Sequence, residues 1–224
     1  MKSPVALALF DLDYTLLSGD SDYAWTQFLI EIGALERTEY EAKNDRFYQD
    51  YQEGKLDLGA FLEFQLAPLA RYTRAQLEQW LAEYVRTKVQ PMIRPKGLDL
   101  VRRHLTAGDL CAIVTSTNEF ITAPIAREFR VEHLLATELE IRDGRFTGKF
   151  SGTPSYREGK VLRVAEWLGG RGETLASFPE SWFYSDSRND LPLLECVTRP
   201  VAVNPDDTLR GEASARGWRI ISLE

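Results

Sequence analysis

The sequence predicts an α/β protein, a doubly wound and mostly parallel sheet with a small all-helical domain inserted after the first strand. Three observations carry that expectation. Short apolar runs recur along the chain and each ends abruptly in polar residues. Helical patterns lie between these runs. The alternation breaks once, between residues 20 and 89, where helical patterns follow one another. Strand–helix alternation is the mark of a parallel sheet covered on both faces. A chain of 224 residues is long enough to bury such a core and still carry an insertion.

Taken in order, residues 5–10 (VALALF) form a continuous apolar run, as strands buried on both faces do. Residues 110–114, 182–184, 201–203 and 218–221 repeat the pattern. Amphipathic helices are expected over 97–106, 119–129 and 159–168, with Pro124 imposing a late start or a kink on the second. Residues 139–142 and 145–148 flank Asp143-Gly144, a hairpin signal that gives one antiparallel excursion. Inside the insertion, helices are expected over 22–32, 38–52, 57–66 and 73–88. Ser21 and Thr73 are the expected N-caps, and Gly33 and Gly54 suit helix ends. About half of the aromatic residues fall in this segment, enough for a core of its own. The expected division is a catalytic core of residues 1–19 and 90–224 and a helical cap of residues 20–89.

Composition narrows the function. The formal net charge of -7 disfavours an extended nucleic-acid surface, which needs clustered Lys and Arg. Residues 1–4 lack the architecture of a signal peptide, and the apolar run behind them is too short for a membrane span. Cys111 and Cys196 are the only cysteines, with no paired spacing for a disulfide or zinc site. A cytoplasmic location follows by default. His104 and His133 sit in structural contexts, so acid–base work falls to carboxylates.

Four features carry chemistry. Asp11 and Asp13, two apart after a buried run, start on one side of the backbone at the sheet edge where open α/β folds bind ligands. Two such carboxylates repel unless a cation lies between them or one keeps a proton. Asp186, Asn189 and Asp190 follow the run at 182–184 in the same way. Thr115 directly follows the run at 110–114, with Ser116 and Thr117 behind it. Lys160 begins an amphipathic helix after Glu158-Gly159. Each feature alone has a plain structural reading: a helix cap for Thr115, a solvated face for Lys160, a helix-start charge for Asp190.

In order and type, the set resembles the haloacid dehalogenase (HAD) superfamily of phosphatases: D-x-D-x-T at Asp11 to Thr15, then Thr115, Lys160, and D-x-x-N-D at Asp186 to Asp190. The helical insertion behind the first motif is similar to the cap of the phosphoserine phosphatase branch, subfamily IB. The resemblance implies Asp11 as nucleophile, forming a phospho-aspartate, and Asp13 as general acid and base. It implies Mg²⁺ held by the Asp11 carboxylate, the Asp13 backbone carbonyl and Asp186, with Asp190 completing the shell or orienting Lys160. Four carboxylates facing a phosphate require a divalent cation, since Lys160 alone does not balance them. Thr115, the backbone N–H of Ser116, Lys160 and Asn189 would hold the phosphoryl oxygens.

The resemblance also bears on the substrate, a small phosphorylated metabolite. In phosphoserine phosphatases a cap glutamate and a cap arginine bind the amino and carboxylate groups. Their places here hold Asp20 and, from the lead-in Gly54-Lys55-Leu56, Glu63. Two acids suit an amino alcohol phosphate better than phosphoserine, because a substrate carboxylate would be repelled. The stretch from Asp11 to Trp25 also looks like a subgroup often assigned as histidinol-phosphate phosphatase, with Tyr23 or Trp25 as a stacking surface. Phosphoserine hydrolysis is the alternative. A phospho-accepting receiver or a binding protein without turnover is a further one, but neither needs the second Asp or the insertion. A D-x-D sugar transferase leaves Thr115, Lys160 and the second acidic cluster without a role. No partner is expected beyond a second copy of the chain, as a monomer or homodimer without membrane contact.

Overall fold

The computed structural model describes residues 6–224, so Val5 and the readings made on residues 1–4 lie outside the described residues. Strand β1 (Leu7–Phe10) is wholly buried. Four helices then precede the return to the sheet: α1 (Ser21–Glu31), α2 (Arg37–Gln52), α3 (Leu58–Arg71) and α4 (Arg74–Tyr84). A π-helical stretch, Val85–Val89, and the single turn α5 (Gln90–Met92) lead into α6 (Pro95–Ala107). Next come β2 (Leu110–Asn118), α7 (Glu119–Glu128) and the hairpin of β3 (His133–Arg142) and β4 (Arg145–Ser151). The chain closes with α8 (Glu158–Gly169), β5 (Ser181–Ser185), α9 (Leu191–Leu194), β6 (Arg199–Val203), α10 (Asp207–Arg216) and β7 (Arg219–Ile221).

The sheet has seven strands in the order β4-β3-β2-β1-β5-β6-β7, parallel throughout except for β4. From β1 the chain winds outward through β2 and β3, then crosses to β5 and winds the other way. The switch point therefore lies between β1 and β5, and ligands of such sheets bind at that place, beyond the carboxyl ends of the strands. Successive side chains of a strand face opposite ways. Accordingly, Ala8 and Phe10 join the apolar layer that contains Val101 and Ile125, while Leu7 and Leu9 join the layer with Val164, Leu168 and Leu209. Both faces of β1 are thus dry, which is why its sequence is continuous rather than alternating.

Several local expectations change. Asp20, rather than Ser21, caps α1: its carboxylate accepts from the N–H groups of Asp22 and Tyr23. Thr73 does cap α4, in a reciprocal box with Gln76, and Gly33 and Gly54 end helices at φ +72° and +69°. α3 runs through Pro68 to Arg71 instead of stopping at residue 66, and α7 contains Pro124 without a late start. Each proline removes one intrahelical bond. The apolar contacts of Leu66, Leu69, Ile121 and Ile125 outweigh that loss, since all four are buried in the core. Strand β2 continues past Val114 to Asn118, so Thr115 lies within it, where the ladder to β3 changes register.

The insertion leaves and rejoins the sheet through two adjacent segments. Leu17 and Ile93 form an antiparallel bridge, the Ser18 N–H donates to Met92 O (2.8 Å), and the Arg94 N–H donates to Leu16 O (3.1 Å). At the far side, α3 rests on β4. Gly148, at φ +80°, allows this approach, because a Cβ there would lie 3.3 Å from Ala70 Cβ and 3.4 Å from Leu66 O. His104 is structural, as its sequence context suggests: Nδ1 meets Asp109 Oδ2 (2.7 Å) and Nε2 meets Tyr184 Oη (2.8 Å). His133 packs its ring against Trp167. Among the described residues, no helix is long and apolar enough to cross a membrane.

Candidate active site

The carboxyl ends of β1, β2 and β5 gather most of the residues that the sequence singles out. Lys160 is buried at 1% exposure, with Nζ 2.8 Å from Asp11 Oδ1 and 2.7 Å from the Asp190 carboxylate. Its position depends on Gly159. A Cβ at that residue would sit 2.0 Å from Pro154 O, so only glycine lets the start of α8 pack this close to the preceding loop. Burial disfavours the ammonium, but the two carboxylates together outweigh it and raise the Lys160 pKa. Burial pushes Asp11 up and Lys160 pulls it back; for Asp190 the same opposition leaves the pKa at about 6. Ser185 completes the shell of Asp190 with a 2.7 Å hydrogen bond.

Asp13 faces differently. Its Oδ1 accepts from the Ser21 N–H (2.7 Å) and its Oδ2 from the Thr117 hydroxyl (2.9 Å). Burial, followed by repulsion from Asp20, raises its pKa to about 7. A carboxyl poised near neutrality can give or take a proton, and no basic side chain holds this one ionised. Tyr14, directly after Asp13, has φ +56°, a left-handed geometry uncommon for a bulky residue.

The donor set suits a divalent cation between Asp11 and Asp186. The Thr15 hydroxyl lies 3.0 Å from both Asp11 Oδ2 and Asp186 Oδ1, yet it has one proton to give. Burial, then the charges of Asp11 and Asp190, pushes Asp186 well above the usual carboxylate range. Three carboxylates, Asp11 and Asp190 buried and Asp186 half-buried, therefore share one ammonium. Among the described residues no three His, Cys, Asp or Glu side chains form a metal cage by themselves. An octahedral oxygen-loving ion needs no such cage, since it takes one or two carboxylates and fills the remaining positions with water and phosphate. The Asp190 side chain is committed to Lys160 and Ser185, and that of Asp13 to Ser21 and Thr117.

Above these groups lies a narrow cavity of about 40 Å³, walled by the insertion on one side and the sheet edge on the other. Asp11, Asp13, Thr115, Ser116 and Thr117 form its floor. Asp20 and Asp22 with Tyr23, Asn44, Tyr48, Phe61 and Gln65 form its roof and wall. Two expected binding residues are elsewhere. Glu63 is exposed on the outer side of α3, because Leu58, Phe61 and Gln65, three and four residues apart, are the ones that face inward. Asn189 does not line the cavity: its Oδ1 accepts from Arg157 and its Nδ2 donates to Tyr51 O, tying the insertion to the core. Tyr23 lines the wall, whereas Trp25 is core, packed among Phe28, Tyr84 and Phe120.

Other site residues carried little signal in the sequence. Thr15 and Thr117 belong to polar runs already noted, but their contacts with Asp186 and Asp13 cross the sheet. Arg157, at φ +50°, donates both to Gly54 O in the insertion (2.7 Å) and to Asn189. Nothing in its neighbourhood distinguishes it from an ordinary surface arginine.

The model of haloacid dehalogenase-like hydrolases matches residues 8–195, and the chain belongs to that family. A histidinol-phosphatase of Neisseria meningitidis serogroup C is 49% identical over 219 residues, covering 97% of this chain and 99% of that one. A crystal structure of a protein of unknown function from Bordetella pertussis Tohama I superposes with a TM-score of 0.94 at 52% identity, covering 99% of this chain and all of the other. A substrate-bound phosphoserine phosphatase shares the fold, with a TM-score of 0.70 at 17% identity over 99% of this chain and 94% of its own. Within its family, the chain is a phosphatase acting on phosphate monoesters.

Proposed function

We propose that the protein hydrolyses a small phosphate monoester whose alcohol part carries a positive charge, with histidinol phosphate the leading candidate. The observation that carries this reading is the cavity lining. Four carboxylates, Asp11, Asp13, Asp20 and Asp22, face it together with aromatic rings, and no Lys, Arg or His does. A phosphoserine carboxylate would meet only like charge there, an arrangement that costs several kcal/mol when desolvated. An ammonium or imidazolium group would be attracted. The name of the Neisseria relative agrees with this choice.

In the proposed reaction, Asp11 attacks phosphorus through the carboxylate oxygen facing the cavity, and the bond to the leaving alcohol breaks. Asp13 supplies the proton that the departing oxygen needs, then removes one from the water that cleaves the phospho-aspartate and releases phosphate. Each half-reaction is easier than a single direct displacement. Thr115, the N–H of Ser116 and Lys160 hold phosphoryl oxygens as charge develops on them. Mg²⁺, held by Asp11, Asp186 and the Asp13 carbonyl, would supply charge neutralisation for the incoming phosphate. Residues 20–89 act as a cap that excludes water, and the cavity of about 40 Å³ is too small for a phosphate ester until the cap lifts.

The test is a panel of esters assayed with and without Mg²⁺. Phosphate release should vanish with chelator and return with added Mg²⁺. Histidinol phosphate should exceed phosphoserine in kcat/KM by at least ~10²-fold, as expected for several kcal/mol of discrimination. Faster turnover of phosphoserine would overturn the substrate assignment.

A further inference from the structure

We propose that Asp22 is the specificity-determining residue, accepting a hydrogen bond from the N–H of the substrate's cationic group. This inference rests on the reading that the ester is cationic and assigns the group that selects it. Asp22 lies in the first turn of α1, is 5% exposed, and lines the cavity. Its Oδ1 is buried without any hydrogen-bond partner. Buried acceptors in folded proteins are nearly always paired, so a lone carboxylate oxygen beside a cavity marks a place where a ligand donor belongs.

The other three acids of the lining are already engaged. Asp11 is bonded to Lys160 and Thr15. Both oxygens of Asp13 accept, from Ser21 and Thr117. Asp20 Oδ1 accepts from two N–H groups at the start of α1, which makes it part of the helix cap.

Nor can the neighbouring amides turn to Asp22 without loss. Gln65 Oε1 accepts from the Thr26 hydroxyl (2.8 Å), Gln65 Nε2 donates to Asn44 Oδ1 (3.4 Å), and Asn44 Nδ2 donates to Tyr23 O (3.1 Å). This relay is closed on itself and spends its donors internally. The aromatic faces of Tyr23, Phe47 and Phe61 line the same wall and suit a cation or an imidazole ring. Asp22 Oδ1 therefore offers the cavity wall a buried acceptor without a hydrogen-bond partner.

The experiment uses the full chain with Mg²⁺ and three esters: histidinol phosphate (ammonium and ring), O-phosphoethanolamine (ammonium only) and 2-phenylethyl phosphate (ring only, uncharged alcohol). Asp22→Asn, which keeps shape and removes charge, should raise KM about ten- to a hundredfold for the two ammonium esters, the range for losing a charge-assisted hydrogen bond. It should leave KM for 2-phenylethyl phosphate within about twofold and kcat for all three nearly unchanged. Asp22→Glu should restore part of the preference, and it carries the test if the Asn variant folds poorly. An equal change for all three esters, or an undiminished preference for cationic ones in both variants, overturns the role of Asp22. Wild-type protein that treats ammonium and uncharged esters alike overturns the substrate reading itself, before any variant is needed.

Discussion

The two ends of the cavity are both acidic and yet differ in kind. At the end built on β1 and β5, each carboxylate has a counterpart: Asp11 and Asp190 share Lys160, and Thr15 ties Asp11 to Asp186. At the end built on α1, Asp13, Asp20 and Asp22 have neutral donors at most, and Asp22 Oδ1 has none. The first end holds an ammonium among its carboxylates; the second holds none, and burial there favours the neutral acids. On the proposed reading, loss of chemistry and loss of choice separate by the end a substitution touches, with Asp13 at the boundary.

Breaking the balanced end should cost most. Asp11→Asn removes the nucleophile, and kcat is expected to fall by at least ~10³-fold for every ester, charged or not. Measured beside Asp22→Asn, it separates loss of chemistry from loss of choice. Lys160→Met is expected next, with kcat down about 10²- to 10³-fold, the usual cost of one lost oxyanion donor. It also leaves two buried carboxylates facing each other, so metal-free protein should lose roughly 3–5 kcal/mol in denaturant titration. A variant that kept both rate and stability would show that Lys160 does not neutralise this pair.

The boundary between the two ends is sharpened by pH. Asp13 has its pKa raised to about 7, so its acid form, present below that value, is lost as pH rises through it. For an alkyl ester, whose leaving oxygen needs a proton, kcat should fall about tenfold per unit above pH 7. The fall should be much shallower for p-nitrophenyl phosphate, whose leaving group departs unprotonated. The same sign applies to folding. A carboxyl held protonated by burial stabilises the fold below the unfolded pKa of 3.8, and that contribution disappears as pH rises from there through about 7. The smallest effect is expected at the seam between insertion and core. Arg157→Ala deletes the bonds to Gly54 and Asn189, and KM should rise about fivefold for all esters alike, in line with ~1 kcal/mol of part-buried hydrogen bonding.

Much of the fold was legible because buried parallel strands announce themselves as unbroken apolar runs. β1 and β5 are of this kind, and the acids just beyond them fall at the switch point for that reason. What the sequence hid was whatever depends on a partner element. Thr115 reads as the residue after a strand, but pairing with β3 extends β2 to Asn118 and places Thr115 at a register shift. Spacing from Gly54 points to Glu63, but spacing does not reveal the phase of α3, which turns Gln65 inward and Glu63 outward. Asn189 follows the family pattern, yet its amide is spent on Tyr51 and Arg157. Asp22 falls inside the stretch that resembles the histidinol-phosphate phosphatase subgroup, but its own role was hidden, because an unpaired acceptor is visible only when the neighbours that fail to pair with it are in place.

The antiparallel bridge between Leu17 and Ile93 has an evolutionary consequence. Because the two crossings are hydrogen-bonded neighbours, the sheet experiences the whole helical insertion as though it were a tight loop. A different insertion spliced between those two residues would leave the strands, and the nucleophile beyond β1, undisturbed. Such an architecture lets a lineage change what it recognises by exchanging a module while inheriting its chemistry intact.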